Sequence, residues 1–135
     1  VAAQVMITPA VGDKLPAFAV TADPTFVVST ALATRDFQDV HHDRDKAHAR
    51  GSKDIFVNIL TDTGLVQRFI TDWAGPRAVV HSIKLRLGVP WYAYDTVTFS
   101  GEVIAVDGER VTVDVLGADS LGDHITAKVV VGVPQ

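Results

Sequence analysis

Ile55, Ile59, Val66, Phe69, Ile70 and Trp73 recur at helical spacing, and Phe56, Val57, Leu60 and Leu65 widen the apolar stripe until little polar face is left. The pattern predicts a long, buried helix over residues 55–73, with Asp54 serving its start and Gly75-Pro76 its stop. At about 1.5 Å per residue it would be ~30 Å long, the width of a small domain, so it is expected to be the central helix. Gly64 inside it costs ~1 kcal/mol relative to alanine, and close approach of a neighbouring strand or helix is the expected reason.

Beyond Pro76 the apolar period falls from about 3.6 residues to about 2. Val79, His81, Ile83, Leu85 and Leu87 share one side of a strand, while Val80, Ser82, Lys84 and Arg86 share the other. His81 is therefore expected on the apolar face, as a hydrogen-bonded core or interface residue. Three more strands are expected over 95–106, 109–117 and 123–133, the first two joined tightly at Asp107-Gly108 and the last two by a looser turn from Gly117 to Gly122. Val111, Val113 and Val115, then Ile125, Ala127, Val129 and Val131, supply the face that meets the helix. Asp123 and His124 fall at a turn, where solvation is expected.

Toward the N-terminus, Pro9, Gly12, Pro16 and Pro24 break residues 1–24 into a weakly specified arm. Phe26, Val27, Val28, Thr30 and Leu32 favour a strand over 25–34. One strand, one long buried helix and four antiparallel strands make an α+β layer in which a curved sheet wraps around its helix, the hotdog arrangement.

Composition narrows the class. The 135 residues, 47% hydrophobic and 21% charged, fit one globular domain over 1–135. A formal charge of −4 with scattered lysines and arginines leaves no basic stripe for a phosphate backbone, so nucleic acid is not the expected partner. No apolar run approaches the ~20 residues that span a bilayer, and the first residues lack a hydrophobic signal core, so a cytoplasmic location is expected. Starting at Val1 rather than methionine is expected to reflect processing or trimming. Zero cysteines exclude disulfides, thiol nucleophiles and thiolate metal sites. No Gly-rich loop of the phosphate-cradling kind occurs, which argues against a nucleotide-fuelled reaction.

Chemistry is expected in the segment Thr34-Arg35-Asp36-Phe37-Gln38-Asp39-Val40-His41-His42-Asp43, where an acid and an imidazole lie five residues apart. One irregular turn could bring Asp36 and His41 together around a single water, an arrangement suited to water addition or elimination. Solvated surface is the competing reading of such a pair. A metal site built from His41, His42, Asp43 and His48 is a third, set against the way adjacent histidines splay apart. The aromatic crossover Trp91-Tyr92-Ala93-Tyr94 reads either as a packed loop or as a wall for an apolar ligand.

The strand, the acid-to-histidine segment, the apolar helix and the meander together resemble the MaoC-like (R)-specific enoyl-CoA hydratases. Their signature, Ser/Thr-Gly-Asp-x-Asn-Pro-Leu/Val-His-x-Asp, is matched at Thr34, Asp36, Val40, His41 and Asp43, with Arg35, Gln38 and Asp39 departing from Gly, Asn and Pro. The family's Ile-x-His-Gly at the helix start resembles Ile55-Phe56-Val57-Asn58, so its histidine and glycine are absent. The runs Asp36 to Lys46, Gly51 to Val66 and Leu85 to Asp95 are similar to one subfamily, the small subunit of the heteromeric steroid-side-chain hydratase of actinobacterial cholesterol degradation.

That resemblance implies water addition to the unsaturated side chain of a steroid CoA thioester, without a metal or any cofactor beyond the CoA of the substrate. It implies Asp36 and His41 as the groups that hold and activate the water. It also implies the backbone N–H of Asn58 as donor to the enolate oxygen, with the Asn58 side chain incidental. Trp91 and Tyr92 would face substrate, and Arg86 or Lys84 would approach CoA phosphates. The implied partner is a larger MaoC-like subunit in an α2β2 heterotetramer, with a downstream retro-aldolase docked through that subunit. Two other readings stand beside it: a hotdog thioesterase using Asp62 on the central helix as base, and a noncatalytic hotdog subunit.

Overall fold

The computed structural model describes residues 7–135. Asp23 accepts from the Phe26 N–H at 2.8 Å, and Pro24 occupies the first helical position, so residues expected as a strand form helix α1, Pro24–Ala33, instead. The Asp-Pro start and the spacing of buried Val27 and Ala31 outweigh the β-propensity of the Val-Val pair. The expected arm also contains a strand, β1, Lys14–Thr21, whose Leu15 is buried despite Pro16 because a register shift between Leu15 and Phe18 absorbs the proline.

A 3-10 turn over Asp39–His41 and a short helix α2, Arg44–Ala49, follow α1. Asp43 caps α2 through the Lys46 N–H at 3.0 Å. Next comes the central helix α3, Ile59–Ala74, which starts four residues later than its periodicity suggested. Its cap is Asn58. Asp54 instead pairs with Arg44 through two hydrogen bonds of 2.9 and 3.2 Å. Ile55, Phe56 and Val57 are extended, because Ile55 and Val57 pair with the crossover loop: the Val57 N–H donates to the Trp91 carbonyl and the Ala93 N–H to that of Ile55, each at 3.0 Å.

The sheet is antiparallel, with strands β2 (Val79–Leu87), β3 (Thr96–Asp107), β4 (Arg110–Asp119) and β5 (Gly122–Gly132) joining β1 in the order β1-β3-β4-β5-β2. Both hairpins are tight. Asp107 pairs with Arg110 across Gly108-Glu109, and Asp119 pairs with Gly122 across Ser120-Leu121, so the second turn is shorter than expected. A register shift between Val80 and Ser82 moves Val80 to the inner face and leaves His81 exposed, against the simple alternation that placed it with the core.

The inner face of the sheet packs on Val66, Phe69 and Ile70 of α3. Gly101 in β3 makes room for Phe69, since a Cβ there would lie 3.0 Å from its ring. The opposite face of α3 is open: Ile59, Leu60 and Gly64 are exposed, and no atom of the described residues lies within 4 Å of where a Cβ on Gly64 would sit. The helix is therefore amphipathic rather than buried all round, and close approach does not explain Gly64.

Candidate active site

Helix α1 ends at Thr34, and Arg35 turns the chain through the left-handed region at φ 57°. Glycine adopts that conformation without the Cβ clash that arginine must absorb, which gives the signature's usual glycine a physical reason. The turn aims Asp36 back across the end of α1 toward His41, so the pair follows a helix end and not a strand end. His41 Nε2 lies 3.4 Å from Asp36 Oδ2, with the imidazole almost buried and the carboxylate partly open.

The other ring nitrogen sets the tautomer. His41 Nδ1 lies 2.7 Å from the Phe56 carbonyl, which can only accept, so Nδ1 carries hydrogen and, in the neutral ring, Nε2 is the nitrogen with the lone pair on the Asp36 side. That carbonyl is available because residues 55–57 are extended rather than helical. The Phe56 ring meets the His41 ring edge-on at 4.8 Å and that of Tyr92 at 6.4 Å, which completes an aromatic collar. Asp39, where the signature has proline, anchors the intervening turn to α2 by an ion pair of 2.7 Å with Arg50. Hydrogen bonding to that guanidinium holds the Asp39 carboxyl below its ordinary range.

Asn58 is buried beside the pair. Its Nδ2 donates to Thr34 Oγ1 at 2.9 Å and to Asp36 Oδ2 at 3.2 Å, while its Oδ1 accepts from the N–H and the hydroxyl of Thr61. The side chain is thus not incidental. Its backbone N–H, at the start of α3, donates to no acceptor among the described residues. Asp36, His41 and Asn58 form one cluster, whereas the other expected site residues do not join it as a group. Tyr92 reaches it through Phe56. Trp91 is fully buried, tilted against Phe26 and edge-on to His124, with Nε1 donating to the Asp95 carbonyl at 2.9 Å; it is core and offers no wall to a ligand. Lys84 and Arg86 are exposed on the sheet face away from α3, beside an open groove they share with Lys14, Glu102, Asp114 and Lys128.

A second acid–imidazole pair was hidden from sequence reasoning. His124, expected at a solvated turn, is 3% exposed, and its Nε2 lies 2.9 and 3.0 Å from the two oxygens of Asp62, itself 0% exposed. Its Nδ1 reaches the Val89 carbonyl at 2.6 Å. Burial pushes the Asp62 carboxyl up, only partly offset by His124; burial alone would lower the His124 value, but Asp62 and the Val89 carbonyl outweigh it and hold it above the ordinary range. The pair ties the first turn of α3 to β5 and to the crossover loop. Gly88 enables this approach, because a Cβ there would lie 2.1 Å from the Asp123 carbonyl oxygen. Sealed and paired in this way, Asp62 is not open to substrate as a thioesterase base would need to be. A polar position one turn into a helix, matched by a histidine on a distant strand, gave no local sequence signal.

His48 Nε2 meets the Lys53 carbonyl at 2.9 Å, and no group of three or more His, Asp or Glu side chains converges among the described residues. Among them, no helix is long and apolar enough to cross a membrane.

The layer of one helix and a wrapped antiparallel sheet is shared with an (R)-hydratase from A. caviae involved in PHA biosynthesis, at a TM-score of 0.87 over 94% of this chain and 98% of that one, with 21% identity. No family model matches the chain. The chain nevertheless belongs to the MaoC-like hydratases of the hotdog fold, enzymes of the hydro-lyase class, because a relative is 74% identical over 119 residues. That relative is the 3-oxo-4,17-pregnadiene-20-carboxyl-CoA hydratase beta subunit of Mycobacterium tuberculosis, matched over 88% of this chain and 92% of its own length. A chain in the crystal structure of the ChsH1-ChsH2 complex from the same organism is also similar, at 69% identity and a TM-score of 0.92, covering 94% of this chain and all of that one.

Proposed function

We propose that this chain is the catalytic small subunit of a heteromeric hydratase that adds water to the conjugated double bond of a 3-oxo-4,17-pregnadiene-20-carboxyl-CoA-type steroid thioester. The observation that carries the reading is the 74% identity to a beta subunit acting on that substrate. The Asp36–His41 pair gives the reaction its chemistry. Two acceptors 3.4 Å apart can share the two hydrogens of one water and leave its oxygen lone pair free to attack the β-carbon.

As the C–O bond forms, His41 Nε2 takes a proton from the water and the thioester carbonyl becomes an enolate. In this reading the Asn58 N–H, which has no acceptor among the described residues and lies at the start of α3, donates to that oxygen, aided by the helix dipole, and a donor of this kind is worth roughly 3 kcal/mol in the transition state. The proton then passes to Asp36 Oδ2 and on to the α-carbon of the same face. Hydroxyl and hydrogen have been added across the alkene, and the thioester bond is untouched.

The partner in this reading is a larger MaoC-like subunit in an α2β2 assembly, as the relative's beta-subunit name and the two-component ChsH1-ChsH2 complex suggest. Phe37, next to Asp36 and 65% exposed, and Leu60, two residues after Asn58 and 50% exposed, provide apolar surface for such a subunit and for a steroid skeleton. Arg86 and Lys84 would approach CoA phosphates only in that assembly, and the hydroxylated product is suited to a retro-aldol enzyme docked on the larger subunit. CoA thioesters do not cross membranes, which makes the cytoplasm the setting.

Mass spectrometry tests the reading, with the chain incubated alone and with the larger subunit on the steroid enoyl-CoA. The expected product, formed only by the mixture, carries one added water and an intact thioester. Release of free CoA, or no change with the partner present, would overturn it.

A further inference from the structure

We propose that the Asn58 side chain is a positioning residue that orients the Asp36 carboxylate for the reaction, an inference resting on the hydratase reading above. An asparagine side chain has two hydrogens to donate and two lone pairs with which to accept. Here all four are used, by Thr34 Oγ1, Asp36 Oδ2 and the two Thr61 donors. The neighbours fix the amide's direction. Thr34 Oγ1 gives its own hydrogen to the Thr30 carbonyl at 2.7 Å, so toward Asn58 it can only accept. A flipped amide would face the Thr61 N–H with a donor and the Asp36 carboxylate with an acceptor.

The oxygen that Asn58 holds is the one that faces His41. Oδ2 receives the amide at 3.2 Å and lies 3.4 Å from Nε2, whereas among the described residues Oδ1 has only a long contact of 3.4 Å from the Gln38 N–H. One buried amide therefore couples the end of α1, the acid and the first turn of α3, where the free Asn58 N–H lies. Without it the carboxylate is free to turn about its own bond, and acid, imidazole and helix start lose their common reference.

Asn58→Asp separates this role from capping, because aspartate caps a helix as well as asparagine does. It also replaces the donor facing Asp36 with a like charge at about the same spacing. In the assembled enzyme acting on the steroid enoyl-CoA, kcat is expected to fall at least tenfold with KM changed less than about threefold. The acid limb of the kcat–pH profile moves up by about one unit or more, because two adjacent carboxylates titrate as a pair. Asn58→Ser, which keeps a capping oxygen and removes the amide without adding charge, should lower kcat similarly and leave the acid limb where it is. A cap alone would change thermal stability and active fraction without moving that limb. Wild-type kcat and pH profile in both variants, alongside an inactive Asp36→Asn control, would overturn the positioning role alone. A fully active Asp36→Asn enzyme would instead overturn the site on which it rests.

Discussion

Arg35, immediately before the acid, is exposed and held at φ 57°, and its side chain makes no hydrogen bond or ion pair among the described residues. An arginine in the left-handed region costs roughly 1 kcal/mol that a glycine would not. Arg35→Gly should therefore raise the unfolding temperature by about 3 °C, measured on the isolated chain by calorimetry. A fall would show that the arginine is anchored by something the strain argument omits. The proximity of Asp36 and His41 was legible in the sequence because it depends on one short spacing. Asn58 was visible only as a departure from glycine; its role comes from Thr34 and Asp36, which are 24 and 22 residues away.

Among the elements, α3 and the meander were legible from apolar period, while α1 was not, since Phe26, Val27 and Val28 carry strand propensity and the Asp23-Pro24 start overrides it. The start of α3 falls later than its apolar period predicts for a related reason. Ile55 to Val57 continue the apolar pattern but are drawn into pairing with the crossover loop, which is what frees the Phe56 carbonyl for His41. The Asp62–His124 tie also joins elements far apart in sequence, and it titrates. His124 is held above its unfolded value, so the stability it contributes is complete below about pH 6.5 and is lost as pH rises through the raised folded value. Asp62 is raised too, so its contribution likewise fades upward from about pH 3.8. Both slopes have the same sign. The denaturant midpoint should decline as pH rises above neutrality. Asp62→Asn, whose amide can donate to a neutral imidazole, should flatten that decline, whereas His124→Ala strands a buried carboxylate at a cost of about 3–5 kcal/mol. A wild-type midpoint that rises on the alkaline side would contradict the assignment.

At the scale of the molecule, the wrapped sheet protects one face of α3 and leaves the other face, with Leu60 and the open side of the acid–imidazole pair, toward solvent. A helix with so apolar a composition reads as buried from its sequence; the single chain covers only half of it, and the proposed larger subunit supplies the rest. Arg86 and Lys84 lie on the sheet face away from α3 and so do not meet Asp36 within one chain. The central claim is that this chain carries the water-adding pair of the assembly. The direct measurement is the hydration rate of complexes reconstituted with wild-type, Asp36→Asn or His41→Ala chains at matched partner occupancy. The account predicts that either substitution lowers kcat by about 100-fold or more while partner binding is preserved. Near-wild-type turnover in either variant would contradict it.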